Sequence, residues 1–505
     1  MTKPETANLY ALLSRRFDAR AGTVAVEAPG AKRLTYADVE RESARFANRL
    51  LALGARAGDR VAVQVDKSPE ALCLYLGCVR AGLIYLPLNT GYPARELEHF
   101  FRDAEPRVVV CRPQDLNMIG GLAARCGVDQ VVTLGDAGDG SLMESAHGRD
   151  DFDTIVSRRD DIAAILYTSG TTGKPKGAAL SHGNLGSNAV TLHEAWGFCE
   201  GDVLLHALPL FHTHGLFVAC HCSLLNATPM LLLPKYDAEQ VVELLPRASV
   251  FMGVPTFYTR LLANAEFGRQ QCANMRLFVS GSAPLLEQTH REFLERTGHT
   301  ILERYGMTEC GMSTSNPLRG KRKAGTVGLP LPGVSLRIVD DAGKPVATGV
   351  IGRIEFKGPN VFQGYWRMPG KTAEEFTGDG FFRSGDLGKL DEEGYVSIVG
   401  RDKDLIISGG YNVYPKEVEL CLDQLDGVSE SAVIGVPDAD FGERVAAVVV
   451  AAPASGDMGE ARIIAALKPL LASYKIPKQV AFVDELPRNA MGKVQKNILR
   501  ERFSR

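Results

Sequence analysis

What most constrains this chain is a repeated alternation. From residue 60 to about Glu309, short continuous apolar runs are separated by amphipathic segments. RVAVQV (60–65) precedes the helical PEALCLYLGCVRAG, and LIYLPL, PRVVVC (106–111) and DQVVTL (129–134) read as further buried strands. The pattern resumes with IAAILYTSG, the helical SHGNLGSNAVTLHEAW, VLLHALP, PMLLLPKY, VFMGVP and MRLFVSGSAPL, with helical segments between. A strand that is apolar on both faces needs cover on both faces. Runs of this kind between helices predict parallel sheets with helices packed on each side.

The texture changes near Gly325, where short β-runs carry frequent Gly and Pro, as in a distorted β-barrel. It changes again near GRDKDLI (400–406), after which helices and strands mix in a stretch the size of a small domain. The expected fold class is therefore α/β. A large N-terminal domain, 1–400, would hold two parallel-type αβ subdomains plus a distorted barrel, and a small mobile α+β domain would occupy 401–505. The 505 residues are about three domains' worth by the length prior. A formal net charge of -3 argues against nucleic acid or an anionic membrane surface as partner. The N-terminus lacks an apolar signal-type core and no apolar run spans a bilayer, so a cytoplasmic location is expected. The 10 cysteines show no zinc spacing. Cys220-His221-Cys222 lacks the usual gap and a second pair, and a buried helix is expected there.

Four motifs carry chemistry. YTSGTTGKPKG (167–177) offers backbone amides, hydroxyls and lysines to a phosphate, yet lacks Walker spacing. Its alternative is an exposed turn. In ERYGMTE (303–309), Glu309 follows a strand end and could hold a metal, Thr308 a phosphate oxygen, while Tyr305 stacks on a base. A capping Thr–Glu pair is the bland alternative. In FFRSGDLGKL (381–390), Asp386 is placed in a turn, where its carboxylate could take both hydroxyls of a ribose with Arg401 in support. In PRNAMGKVQK (487–496), Lys493 follows a glycine in a polar turn.

In order and spacing these motifs, with GGYNVYPKEVE, resemble the adenylate-forming superfamily of acyl-CoA synthetases, firefly luciferase and peptide-synthetase adenylation domains. The resemblance covers essentially the whole chain. It implies that Thr168, Ser169, Gly170, Thr171, Thr172, Gly173, Lys174 and Lys176 close over the β- and γ-phosphates of ATP. Glu309 would bind Mg²⁺ and Thr308 the α-phosphate. Gly281, Ser282 and Ala283, with Glu303, Arg304 and Tyr305, would hold the adenine, and Asp386 and Arg401 the ribose. Lys493 would touch the substrate carboxylate and the α-phosphate, offsetting charge where the new bond forms. It also implies two steps, acyl-adenylate formation and then thiol attack with loss of AMP. A swing about a hinge at Asp402 would bring in Ser408, Gly409, Gly410 and Tyr411 for CoA. Lysine acetyltransferase and deacetylase enzymes acting on Lys493 are further implied partners.

The acid is less constrained. A helix starting near Pro255 puts Phe257, Arg260 and Leu261 on one face. There Arg260 either pairs with a second substrate carboxylate or snorkels to the surface, and Arg304 is a second candidate cation. ALPLFHTHGLFVA, GVPTFYTRLL, ERYGMTE and NVYPKEVE are similar to the malonyl-CoA synthetases. That resemblance implies malonate as substrate, methylmalonate as the second, and a pocket shaped by His212, Thr213, His214, Ser280 and Met307. A ligase for another short or aromatic acid, a carrier-loading adenylation enzyme and a nucleotide-binding pseudoenzyme are the alternatives. No carrier module is expected after residue 505, which would favour CoA.

Overall fold

The computed structural model describes residues 6–30, 33–144, 149–168, 175–438, 440–452, 459–489 and 493–503. The chain divides into two compact units, Met1–Ser335 with Phe356–Phe382, and Leu336–Glu355 with Arg383–Arg505. The boundary expected at 400/401 falls inside the second unit.

The first unit holds two sheets. In the nine-stranded sheet, the strands Val24–Glu27, Met230–Leu232, Leu204–His206, Val250–Gly253, Leu277–Ser280 and Leu302–Met307 run parallel, in that spatial order. Antiparallel neighbours flank them at both edges. The seven-stranded sheet is parallel through Gln130–Thr133, Val108–Cys111, Arg60–Gln64, Ile84–Pro87 and Ile162–Thr168. The expected parallel strands are buried across almost every position, as double cover requires.

Two helices stand where the sequence placed them. His182–Ala195 starts from Ser181, whose hydroxyl and Asn184 form a reciprocal capping box. Pro255–Ala263 opens with Pro255 in its first turn, where the missing N–H costs nothing. One strand was hidden. Lys176–Ser181 pairs antiparallel with Ile162–Thr168, so the two ends of the motif lie on neighbouring strands, not on a strand and a helix. Cys220-His221-Cys222 is buried helix as expected, entered through a π-helical stretch, His214–Cys220. No cluster of metal-ligating side chains occurs among the described residues. Nor is any helix there long and apolar enough to cross a membrane.

The second unit holds most of a four-stranded sheet and a five-stranded sheet built around the long hairpin Val428–Asp438 and Gly442–Ala451. The helices Pro415–Leu422 and Glu460–Leu467 bury Val418, Leu422, Ile463 and Leu467 against that hairpin. Asp386 lies on the strand Phe382–Leu390, opposite Arg401, not in a turn. The turn-like SGD signal comes from Gly385, held at φ +70° within the strand.

Candidate active site

In open α/β sheets, ligand-binding side chains gather at the C-terminal ends of parallel strands. Three such ends in the first unit carry polar residues. His206 ends one strand, Ser280 a second, and Arg304 lies on a third. All three are buried. Gly281 lets the arginine in, because a Cβ there would sit 2.4 Å from the Arg304 Cζ. The next residue, Ser282, is held at φ +71°, backbone strain of the kind that persists where surrounding structure enforces it. The Ser282 hydroxyl lies 3.3 Å from His214 Nδ1. Gly215 follows at the start of the π-helical stretch, and a Cβ on it would meet the Pro209 carbonyl at 2.0 Å. The Gly215 carbonyl accepts a 2.9 Å bond from His206 Nε2.

The result is a buried polar cluster. Burial, then the nearby Arg304 charge, pulls His212 down to about 4, and the same causes hold His214 well below the ordinary histidine value. Burial pulls His206 to about 3. All three are neutral near pH 7, and Arg304 keeps its charge although burial pulls it down to about 9. Among the described residues, Arg304 Nε and Nη2, Ser280 Oγ, Thr213 Oγ1, His214 Nε2 and His206 Nδ1 are buried with no hydrogen-bond partner. Each unmade bond costs about 1–3 kcal/mol, more on a charged group. Nε and Nη2 form one edge of the guanidinium, the two-donor fork that fits a carboxylate.

Arg260 is exposed on the outer face of its helix, so the surface alternative holds for it. Phe257, on the same helix, stacks instead on Tyr236 at 3.8 Å. Met307 is half-buried, with the Tyr305 hydroxyl 3.9 Å from its sulfur. The Tyr305 ring stacks on Phe356, centroids 5.8 Å apart. Glu303 accepts a 3.1 Å bond from the Leu285 amide and closes the SGSAPL turn, in which Ala283 is half-buried.

Beside this cluster stands a second one. Thr308 opens a single 3-10 turn, Thr308–Cys310, and lines a small internal cavity with Thr213, Asn188 and Asn360. The buried Glu309 carboxylate takes bonds at Oε1 from Tyr365 Oη, 3.1 Å, and Thr168 Oγ1, 3.4 Å. Lys176 is buried, 3.6 Å from Glu375 and 4.2 Å from the centre of the Tyr365 ring. Ser169, Gly170, Thr171, Thr172, Gly173 and Lys174 lie outside the described residues.

In the second unit, Arg401 Nε bonds Asp386 Oδ1 at 2.8 Å, with the carboxylate buried. Lys493 is exposed, and its ammonium is pulled down to about 8. Desolvation leads, and Arg401 adds repulsion that Asp386 partly offsets. Asp402 is paired with Arg353 at 3.0 Å. Gly409 and Gly410, at φ +57° and +80°, form the two-residue turn between strands Ile406–Ser408 and Tyr411–Val413. The turn itself demands them. Ser408 is buried, and Tyr411 stacks on Tyr474.

Three participants were missed from sequence. Tyr365 lies in FQGYW, whose only legible signal is β-structure. Glu375 lies on a short helix with nothing to mark it. Lys67 had a signal, a lone lysine just past the end of an apolar strand. It donates to the His206 carbonyl at 2.8 Å, and burial pulls it down to about 7.

Residues 13–366 match the AMP-binding enzyme family, and 417–493 match the AMP-binding enzyme C-terminal domain. The chain belongs to the AMP-binding enzyme family. ATP-bound MatB from Rhodopseudomonas palustris superposes with a TM-score of 0.97 at 54% identity, covering 99% of each chain. A malonate–CoA ligase of Arabidopsis thaliana is 36% identical over 89% of this chain and 78% of its own length. A feruloyl-CoA synthase of Amycolatopsis sp is 37% identical over 94% and 95%.

Proposed function

We propose that the chain is an ATP-dependent malonate–CoA ligase, forming malonyl-CoA, AMP and pyrophosphate through a malonyl-adenylate. The observation that carries the choice of acid is Arg304. A monocarboxylic acid would leave its Nε–Nη2 edge buried and unpaired, whereas a dicarboxylate satisfies it with its distal group. Neutral His212 and His214, with Thr213 and Ser280, would bond the same carboxylate or the methylene side. Half-buried Met307 would limit bulk at the central carbon, which leaves room for methylmalonate. MatB and the Arabidopsis ligase support this choice, and the feruloyl-CoA synthase keeps an aromatic acid as the second outcome of the test.

In this scheme Asp386, oriented by Arg401, takes the ribose, and Lys493 offsets charge as carboxylate oxygen meets phosphorus. Its lowered pKa makes that service pH-dependent. Glu309 suits Mg²⁺, since a single buried carboxylate beside hydroxyls and nucleotide phosphates is the hard-oxygen set this ion takes. When bound, the ion would neutralise phosphate charge. The CoA hairpin at 408–411, the hinge near Asp402 and acylation of Lys493 belong to the same reading.

Pyrophosphate release with CoA, measured over a panel of acids, tests the substrate. Malonate should lead in kcat/KM, with methylmalonate second. A lead for acetate, butyrate, benzoate or ferulate would refute it.

A further inference from the structure

Glutamate has three side-chain torsions, so the backbone of a single 3-10 turn does not fix where the Glu309 carboxylate points. Something else must. Tyr365 is well placed to do so because it is itself fixed on every side. Its backbone pairs with Ala178. Its amide donates to Thr372 Oγ1 at 2.9 Å. Gly364 before it is held at φ +135°, where a Cβ would lie 2.5 Å from Thr372 Cγ2. The ring meets Phe362 edge-on at 5.0 Å and carries the Lys176 ammonium over its face at 4.2 Å. The hydroxyl then has one direction, and it reaches Glu309 Oε1 at 3.1 Å. Lys176 reads in sequence as a phosphate cation, but its ammonium faces this ring and Glu375, which Lys371 in turn holds at 3.2 Å.

We propose that Tyr365 is a positioning residue for the metal carboxylate. Its hydroxyl sets the orientation in which Glu309 meets the ion of Mg–ATP, and Lys176 holds the ring that carries that hydroxyl. The inference rests on the assignment of Glu309 to the metal. Mg²⁺ requires near-octahedral oxygen geometry, and partners that orient a ligating carboxylate typically govern about 10- to 100-fold in metal affinity.

Tyr365→Phe keeps the ring, its packing and the cation over its face, and removes only the hydroxyl. ATP affinity is measured in EDTA and across a Mg²⁺ titration, with Mn²⁺ binding in the presence of ATP read by electron paramagnetic resonance. The expected result is a Mg²⁺ midpoint raised about tenfold, with matching Mn²⁺ loss and unchanged ATP affinity in EDTA. Glu309→Gln should abolish the Mg²⁺ response, and Tyr365→Phe added to it should change nothing more. Lys176→Met, a separate protein should Tyr365→Phe fail to fold, should shift the Mg²⁺ midpoint the same way. An unmoved Mg²⁺ titration in Tyr365→Phe overturns the proposal. So does an equal loss with and without Mg²⁺, which would mark a structural role. A Mg²⁺ response that survives Glu309→Gln would instead remove the assignment of Glu309, a failure visible separately from that of Tyr365.

Discussion

Two sites, one in each compact unit, handle charge in opposite ways. All 10 histidines lie in the first unit and none in the second. In the first, the central cation Arg304 is buried among neutral histidines and hydroxyls, with donors unpaired among the described residues. In the second, cations are matched in place: Arg401 to Asp386, Arg353 to Asp402, Arg500 to Asp404 and Lys496 to Glu419. A receptor preformed for an anion must leave its hydrogen bonds unmade. A scaffold that orients catalytic groups makes them all. On the proposed function, the contrast separates residues that would select the acid from residues that would serve the chemistry.

The largest expected effect breaks the first side of this contrast. Arg304→Met should lower kcat/KM for malonate by about 100-fold or more, the usual result of truncating a buried, hydrogen-bonded charge partner. It should also raise the melting temperature of the ligand-free protein, because a buried cation with two donors unpaired among the described residues is replaced by a packed apolar chain. Arg260→Ala, at an exposed site, should change kcat/KM less than twofold. A comparable loss for both would erase the distinction between them. On the other side, Lys493→Ala should cripple adenylate formation by about 100-fold and spare thioester formation from supplied malonyl-AMP. Equal loss in both half-reactions would remove its assigned role. In the wild type, adenylation should decline as pH rises through about 8, where the Lys493 ammonium loses its proton. A profile flat to pH 10 would contradict this.

A smaller effect concerns stability. His182, His206, His212 and His221 all lie below the ordinary histidine value, between about 3 and 4, chiefly through burial. Between those values and about 6.5 the unfolded chain binds more protons, so the first unit loses stability as pH falls through that window. In the second unit burial raises Asp423 to about 6, so there the folded state binds more protons as pH falls and stability rises. Hydrogen exchange read by peptide at pH 7 and pH 5 should show protection lost in the first unit and held around 428–436. The smallest effect is Arg353→Ala, which should cost about 0–1 kcal/mol, since the Arg353–Asp402 pair is half-exposed.

How much of this was legible from sequence follows the same division. Apolar runs announced the parallel strands, and the helices after Ser181 and from Pro255 were legible as well, because burial patterning is a local demand. Lys176–Ser181 was hidden because a motif rich in Gly and Lys masks strand character. Its burial is conferred by sheet partners distant in sequence. Asp386 read as a turn because Ser-Gly-Asp is turn chemistry, although one positive-φ glycine inside a strand needs the same letters. Arg260 and Arg304 were not separable, since a helix face shows periodicity but not which side meets solvent. Gly281, which admits Arg304, acts across 23 positions of sequence. Tyr365 carries no chemical signature at all. Its importance comes from a lysine and a glutamate that only the fold brings to it.

The central claim is that Arg304 selects a second carboxylate. The direct measurement is the ratio of kcat/KM for malonate to that for butyrate, by pyrophosphate release, in the wild type and in Arg304→Met. Butyrate has about the same length and lacks the distal charge. The ratio should be about 100 or more in the wild type and collapse to near one in Arg304→Met, chiefly through loss of malonate. A ratio that Arg304→Met leaves unchanged would contradict it.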